Sequence, residues 1–206
     1  MSDRLRIAVL CSGRGSNLQA MIDAIVSCRL SAEIAVVISN KADAPALERA
    51  RKHDIDAVFV DPKAHRGKEA YDKACLEVLE SFGVELVVLA GYMRLLTAVL
   101  VAPYRGRIIN IHPSLLPAFP GLNAQRQALE YGVKVSGCTV HFVDEQMDHG
   151  PIITQATVPV LQDDTEAVLS DRILKEEHHL LVNAIEDFAK GKLKMLGRRV
   201  EIQRSS

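Results

Sequence analysis

An α/β fold, a mostly parallel sheet with helices on both faces and a mixed or antiparallel C-terminal part, is predicted by three features of the sequence. Short runs that are apolar throughout, such as Leu86-Val87-Val88-Leu89-Ala90, alternate with amphipathic stretches, and strands buried on both faces belong to parallel, doubly covered sheets. A glycine-bearing turn, residues 12–17, joins the first apolar run to the first helical stretch. Beyond Pro120 two further runs, 137–143 and 152–160, follow one another with no long helix between them, so this half of the sheet is antiparallel or mixed.

Taken in order, residues 6–11 form a buried strand. The helix after it carries Leu18, Met21, Ile22, Ile25 and Val26 at i, i+3, i+4, i+7 and i+8, the spacing of one helical face. The pattern repeats with a strand at 34–39, a helix at 44–52 and a strand at 57–60. A helix over 68–82, with Tyr71, Cys75, Val78, Leu79 and Phe82 on one face, precedes the strand 86–90. Arg107-Ile108-Ile109 opens the next strand, and Pro113 ends it because proline has no N–H for the ladder. A helical stretch at 124–131 follows. The last helix spans about 164–190, begun by Asp163-x-x-Glu166 as a capping box and closed by Gly191. The tail 192–206 carries Lys192, Lys194, Arg198, Arg199 and Arg204 against Glu201, and is either an added strand or a solvated end. The whole is a Rossmann-like arrangement in one domain, residues 1–206, a length that suits a single core.

Lys plus Arg number 25 against 26 Asp plus Glu, a net charge of −1, which supplies no general attraction to nucleic acid or a membrane. Any anion must be bound locally. Cys11, Cys28, Cys75 and Cys138 are scattered without a Cys-x-x-Cys pair or a His cluster, so buried reduced thiols are expected rather than a metal site or disulfides. The apolar run 7–11 is far too short for a signal segment or a membrane span. A cytoplasmic protein is expected.

Chemistry is expected at the carboxyl ends of the strands, where ligands of such sheets sit. The turn 13–17 ends at a helix N-terminus, whose unpaired N–H groups and positive dipole end suit an anion. It lacks the third glycine of a dinucleotide fingerprint, and Ser39-Asn40 stands where a ribose-binding acid would be expected. Two readings stay open, a single-phosphate site and a plain tight turn. Asn110 and His112, two apart on one strand, project to the same side near its end. The loop 144–150 carries three carboxylates, Asp144, Glu145 and Asp148, and is either solvated or functional. Glu177 falls within the apolar stripe of the last helix, among Leu169, Ile173, Leu180, Leu181 and Ala184, where a carboxylate needs a partner or must snorkel to water.

The string Asn110-x-His112-Pro113-Ser114-Leu115-Leu116-Pro117, followed by Gly137-x-Thr139-Val140-His141 and then Met147-Asp148-x-Gly150-Pro151, resembles the formyl-folate transferases and hydrolases. From Ile7 to Lys190 the chain is similar to the branch that moves a formyl group from 10-formyltetrahydrofolate to the amine of glycinamide ribonucleotide in purine synthesis. The resemblance implies direct transfer through a tetrahedral intermediate with Asn110, His112 and Asp148 as the catalytic set. It further implies that Gly15, Ser16, Asn17 and Glu177 hold the nucleotide. The folate would lie along Met93, Arg94, Leu95, Leu96 and Asn110 and along Asp144, Glu145, Gln146, Met147 and Asp148, with Lys68 near its tail. Both partners are small molecules, 10-formyltetrahydrofolate serving as cosubstrate. No metal, nucleic acid or membrane is involved, and the protein is a monomer or homodimer.

Many relatives carry a His at the position of Gln125, and some an Arg at that of Lys68. Gln125 lacks a titratable ring, and Lys68 offers a point charge instead of a bidentate fork. Formyltetrahydrofolate hydrolases and methionyl-tRNA formyltransferases share the triad but usually carry a further domain, at the N- and C-terminus respectively. The first strand here begins at Arg6 and the tail is short, so both are less expected. A binding module that kept the fold without the chemistry would be marked by loss of Asn110, His112 or Asp148, and all three are present.

Overall fold

Alternation along the first strand, β1 (Leu5–Cys11), divides the interior in two. Ile7, Val9 and Cys11 point into one apolar cluster, Ala8 and Leu10 into the other, and all five are fully buried. This computed structural model describes residues 4–203. β1 leads into α1 (Ser16–Val26), followed by β2 (Ala32–Ser39), α2 (Pro45–Lys52), β3 (Ala57–Phe59), a 3-10 turn at Pro62–Ala64, α3 (Lys68–Ser81) and β4 (Leu86–Ala90). Then come α4 (Ala98–Val101), β5 (Ile108–His112), α5 (Ala124–Tyr131), β6 (Val135–Phe142), β7 (Ile152–Pro159), α6 (Glu166–Ala189), β8 (Leu193–Leu196) and β9 (Arg199–Ile202).

Among the described residues the strands form one nine-stranded sheet in the order β3-β2-β1-β4-β5-β6-β7-β9-β8. β1 to β5 pair in parallel, whereas β6 is antiparallel to both β5 and β7. The expected parallel sheet with an antiparallel C-terminal part is what forms. Residues of α1, α2 and α6, Leu18, Leu47 and Leu181 among them, pack on one face. Residues of α3 and α4, including Tyr71, Leu79 and Leu100, cover the other.

Several boundaries differ from expectation for local reasons. Helix α6 is capped by Thr165, whose hydroxyl accepts from the Val168 N–H at 3.3 Å, and Asp163 is not its cap. Asp164 in that turn instead pairs with Arg172 at 2.6 and 2.7 Å, and Glu166 pairs with Arg126 at 2.9 Å. Four-residue α4 is too short to show a period in sequence. Cys28, expected buried, is exposed at the end of α1, while the other three cysteines are buried and none is disulfide-bonded. The tail is an added hairpin, β8–β9, meeting β7 through the pair Ile152↔Arg199; Arg204 lies outside the described residues. Among those residues no helix is long and apolar enough to cross a membrane.

Gly137, on β6, has no room for a side chain. A Cβ there would run into the Ala156 carbonyl of β7 and lie 2.9 Å from Leu115 Cδ2. Gly137→Ala should therefore lower the unfolding free energy by about 3 kcal/mol, near the top of the usual range for overpacking, as read by chemical denaturation. A loss under about 1 kcal/mol would mean the β6–β7 ladder opens more readily than this packing allows.

Candidate active site

A cleft of about 770 Å³ runs along the carboxyl ends of β1, β4 and β5. Its first wall is the β1–α1 turn. Gly15 caps α1 with φ +73°, a left-handed conformation natural to glycine. A Cβ at Gly15 would point at α2, 2.8 Å from Ala46 Cβ, so it is the packing of the turn on α2 that excludes a side chain here. Beside the turn, Asn17 donates from Nδ2 to Glu177 Oε2 at 2.8 Å. This is the partner that a carboxylate within the α6 stripe requires, supplied from 160 residues away. Burial pushes the Glu177 carboxyl up from its ordinary value of 4.5, the Asn17 bond opposing the shift only in part. Asn17 Oδ1 is buried and has no partner among the described residues.

Ser12 links this wall to the next. Its hydroxyl donates to Asn40 Oδ1 at 2.6 Å and accepts from the Met93 N–H at 2.9 Å, and its own N–H donates to the Gly91 carbonyl at 3.1 Å. The segment after β4 thereby becomes the second wall, with Met93, Arg94, Leu95 and Leu96 all on the cleft. The Arg94 guanidinium lies 4.2 Å from the centre of the Tyr71 ring, a cation–π contact that turns it toward α3. Tyr92 donates to the Tyr71 hydroxyl at 3.0 Å. Lys68, at the start of α3, and Glu145, which pairs with Arg105 at 3.1 Å, are not part of the cleft wall.

Asn110, His112 and Asp148 meet between these walls. Asp148 Oδ2 accepts from the Gly121 N–H at 2.7 Å and stands 3.4 Å from His112 Nδ1, while Oδ1 is 3.4 Å from Asn110 Nδ2. The other ring nitrogen of His112, Nε2, lies 2.9 Å from the Phe119 carbonyl. Both nitrogens face oxygen acceptors. Asp148 holds a left-handed φ of +50° and Phe119 one of +53°, conformations that are uncommon outside glycine.

A further neighbour of the three comes from the motif Gly137-x-Thr139-Val140-His141, to which the sequence attaches no role. His141 pairs across the β5–β6 ladder with Asn110, and its Nε2 is 3.0 Å from Asn110 Nδ2. Its Nδ1–H donates to the Phe142 carbonyl at 2.8 Å, so Nε2 carries the lone pair and accepts from the amide. Burial lowers the ring's pKa and favours this neutral form. The signal was the i, i+2 spacing of Thr139 and His141, but only the strand order shows what they face. Thr139 supports the segment after β5, donating to the Ser114 carbonyl at 2.7 Å and accepting from the Leu116 N–H at 3.0 Å. Ser16, Gln146 and Met147 also line the cleft, as does Gln125.

The family described as formyl transferase matches residues 5–185. The phosphoribosylglycinamide formyltransferase of Escherichia coli K12 is 46% identical over 191 residues, covering 93% of this chain and 90% of that protein. The trifunctional purine biosynthetic protein adenosine-3 of Drosophila pseudoobscura is 50% identical over 193 residues, which are 93% of this chain but 14% of the length of that relative. Among solved structures, glycinamide ribonucleotide transformylase 1 of Symbiobacterium toebii superposes with a TM-score of 0.97 at 54% identity, covering 99% of this chain and 96% of that one.

Glu177 yields a prediction with a definite sign. Its proton is held more tightly in the folded than in the unfolded chain, so stability falls as pH rises from 4.5 through the raised value. Glu177→Gln keeps an acceptor for Asn17 and removes the buried charge. Ligand-free Glu177→Gln should melt at or above the wild-type temperature at neutral pH, the gap closing below about pH 4.5 where both side chains are neutral. Thermal melts across pH check this, and a variant that melts well below wild type at neutral pH would show that the charge itself stabilises the fold.

Proposed function

The chain belongs to the formyl transferase family, and we propose that it moves the formyl group of 10-formyltetrahydrofolate directly onto the amine of glycinamide ribonucleotide. One observation carries this reading. Asn110, His112 and Asp148 converge on a single cleft whose walls are, on one side, a helix N-terminus with the Asn17–Glu177 pair and, on the other, the apolar segment 93–96. The first wall suits a phosphorylated ribose. N–H groups at the start of α1, from Gly15, Ser16 and Asn17, take the phosphate, and Glu177 accepts from ribose hydroxyls. The second wall suits a flat heterocycle, which lies along Met93, Arg94, Leu95 and Leu96 and against the loop from Asp144 to Asp148. Lys68, off the wall, meets only the tail where it leaves the cleft.

In the reaction the amine nitrogen bonds to the formyl carbon and the carbonyl pair moves onto oxygen. Collapse of the tetrahedral adduct breaks the bond from carbon to folate N10, and one proton passes overall from the amine to N10. An Asn110 N–H and the His112 imidazolium stabilise the oxyanion, each such donor being worth about 3–4 kcal/mol in comparable sites. Asp148 faces His112 Nδ1 and is the carboxylate placed to take the amine's proton, directly or through a water. His141, a positioning residue, holds the Asn110 amide with its nitrogen toward the centre. No side chain is acylated.

His112→Ala should lower kcat by about two decades or more while folate still binds, since the charge that His112 stabilises exists only in the transition state. Near wild-type kcat would remove His112 from the mechanism. The reaction itself is tested by following folate deformylation spectrally with and without glycinamide ribonucleotide. Turnover should require the nucleotide, and equal turnover in its absence would make the protein a hydrolase.

A further inference from the structure

The loop 143–151 carries Asp148, and it is tied from outside the cleft as well as from within. Asp144 Oδ1 accepts from the Gln146 N–H at 2.9 Å, and Asp144 Oδ2 lies 2.8 Å from His149 Nδ1, closing the loop across five residues. Arg198, in the turn between β8 and β9, meets that arrangement with both terminal nitrogens. Its Nη2 donates to the His149 carbonyl at 2.8 Å, and its Nη1 lies against the imidazole ring, 3.1 Å from Nε2 and 3.4 Å from Nδ1. The next residue, Gly150, is pressed against the Phe142 carbonyl so closely that a Cβ could not be placed there. Backbone is thus held on the C-terminal side of Asp148, whose φ of +50° persists because its surroundings over-determine it.

We infer that Arg198 is a positioning residue for formyl transfer, acting through the ring and carbonyl of His149 to hold Asp148 against His112 and Asn110. This rests on the proposed function. A planar guanidinium can donate to the carbonyl while its other nitrogen packs on the ring. The contact is exposed and adds little to global stability, so its use lies in geometry, and small misplacements at a reacting centre are expensive in rate. The loop belongs to the formyl-donor side, whereas the wall assigned to the nucleotide phosphate is at α1, far along the chain from any of these contacts.

Arg198→Met is the test, with steady-state kinetics in both substrates and a thermal melt. The expected result is a kcat lowered about tenfold and a folate KM raised several-fold, with the nucleotide KM and the melting temperature essentially unchanged. Arg198→Lys, which keeps one donor for the His149 carbonyl, should recover part of the loss. A kcat within twofold of wild type for Arg198→Met overturns the inference. Should Arg198→Met melt much lower, His149→Ala decides, because it removes the ring contact and leaves the hairpin whole. A lowered kcat there supports the role and an unchanged one overturns it. If the wild-type protein shows no nucleotide-dependent deformylation, the proposed function fails instead. Amide hydrogen exchange over residues 144–149 then still tests the tether, which predicts faster exchange in Arg198→Met and is refuted by no change.

Discussion

Strand β5 pairs in parallel with β4 and antiparallel with β6, and the geometry of the cleft depends on that double pairing. The parallel side brings the carboxyl end of β5 level with that of β4, so the segment after Gly91 and the strand end at His112 face a common opening. The antiparallel side sets His141 opposite Asn110 and Thr139 opposite His112. A slip of one residue would send Asn110 and His112 to the other face and detach both partners at once. Gly137 guards that register on the far side of β6, where the β7 backbone leaves no space for a Cβ.

Much of this was legible in sequence where the relevant period is short. Alternation placed Asn110 and His112 on one side of a strand, and helical spacing singled out Glu177 as a carboxylate among apolar neighbours. Continuous apolar runs marked the strands as doubly covered. What stayed hidden depends on strand order or on contacts distant in sequence. The Asn17–Glu177 bond, the His141–Asn110 pair and the Arg198–His149 contact span 160, 31 and 49 residues, and no local pattern announces them. The cap of α6 was misplaced because Asp163 and Thr165 are both good N-cap types. The fold settles the choice by committing neighbouring Asp164 to Arg172.

The cleft concentrates groups that destabilise a fold when left alone. His112 and Asp148 form a nearly enclosed pair, with side chains 6% and 13% exposed, and Glu177 is buried with one hydrogen-bond partner. On the far side of the second wall Asp72, whose carboxyl burial pushes up, accepts from the Thr97 N–H at 2.5 Å. Asn123 and Asp148 both hold positive φ around the same opening, as does Phe119, whose carbonyl meets His112. The apolar clusters on either face of the sheet supply the stability against which such local costs are tolerated. Departures from the best local choice gather where ligands are handled.

The hydrogen-bond lengths around Asp148 separate scaffold from what a substrate can displace. The short contacts are Gly121 N–H to Asp148 at 2.7 Å, His112 to the Phe119 carbonyl at 2.9 Å and Asn110 to His141 at 3.0 Å. The contacts that join the three central side chains to one another are the long ones, both 3.4 Å. An oxyanion arriving at the centre competes, on the proposed mechanism, for those weak links and leaves the short ones intact. On the proposed mechanism, Asn110 turns its second N–H from Asp148 to the adduct without losing the bond to His141 that orients it. The donors are therefore pre-set, and little reorganisation is needed as charge develops, the condition under which fixed dipoles contribute most to rate.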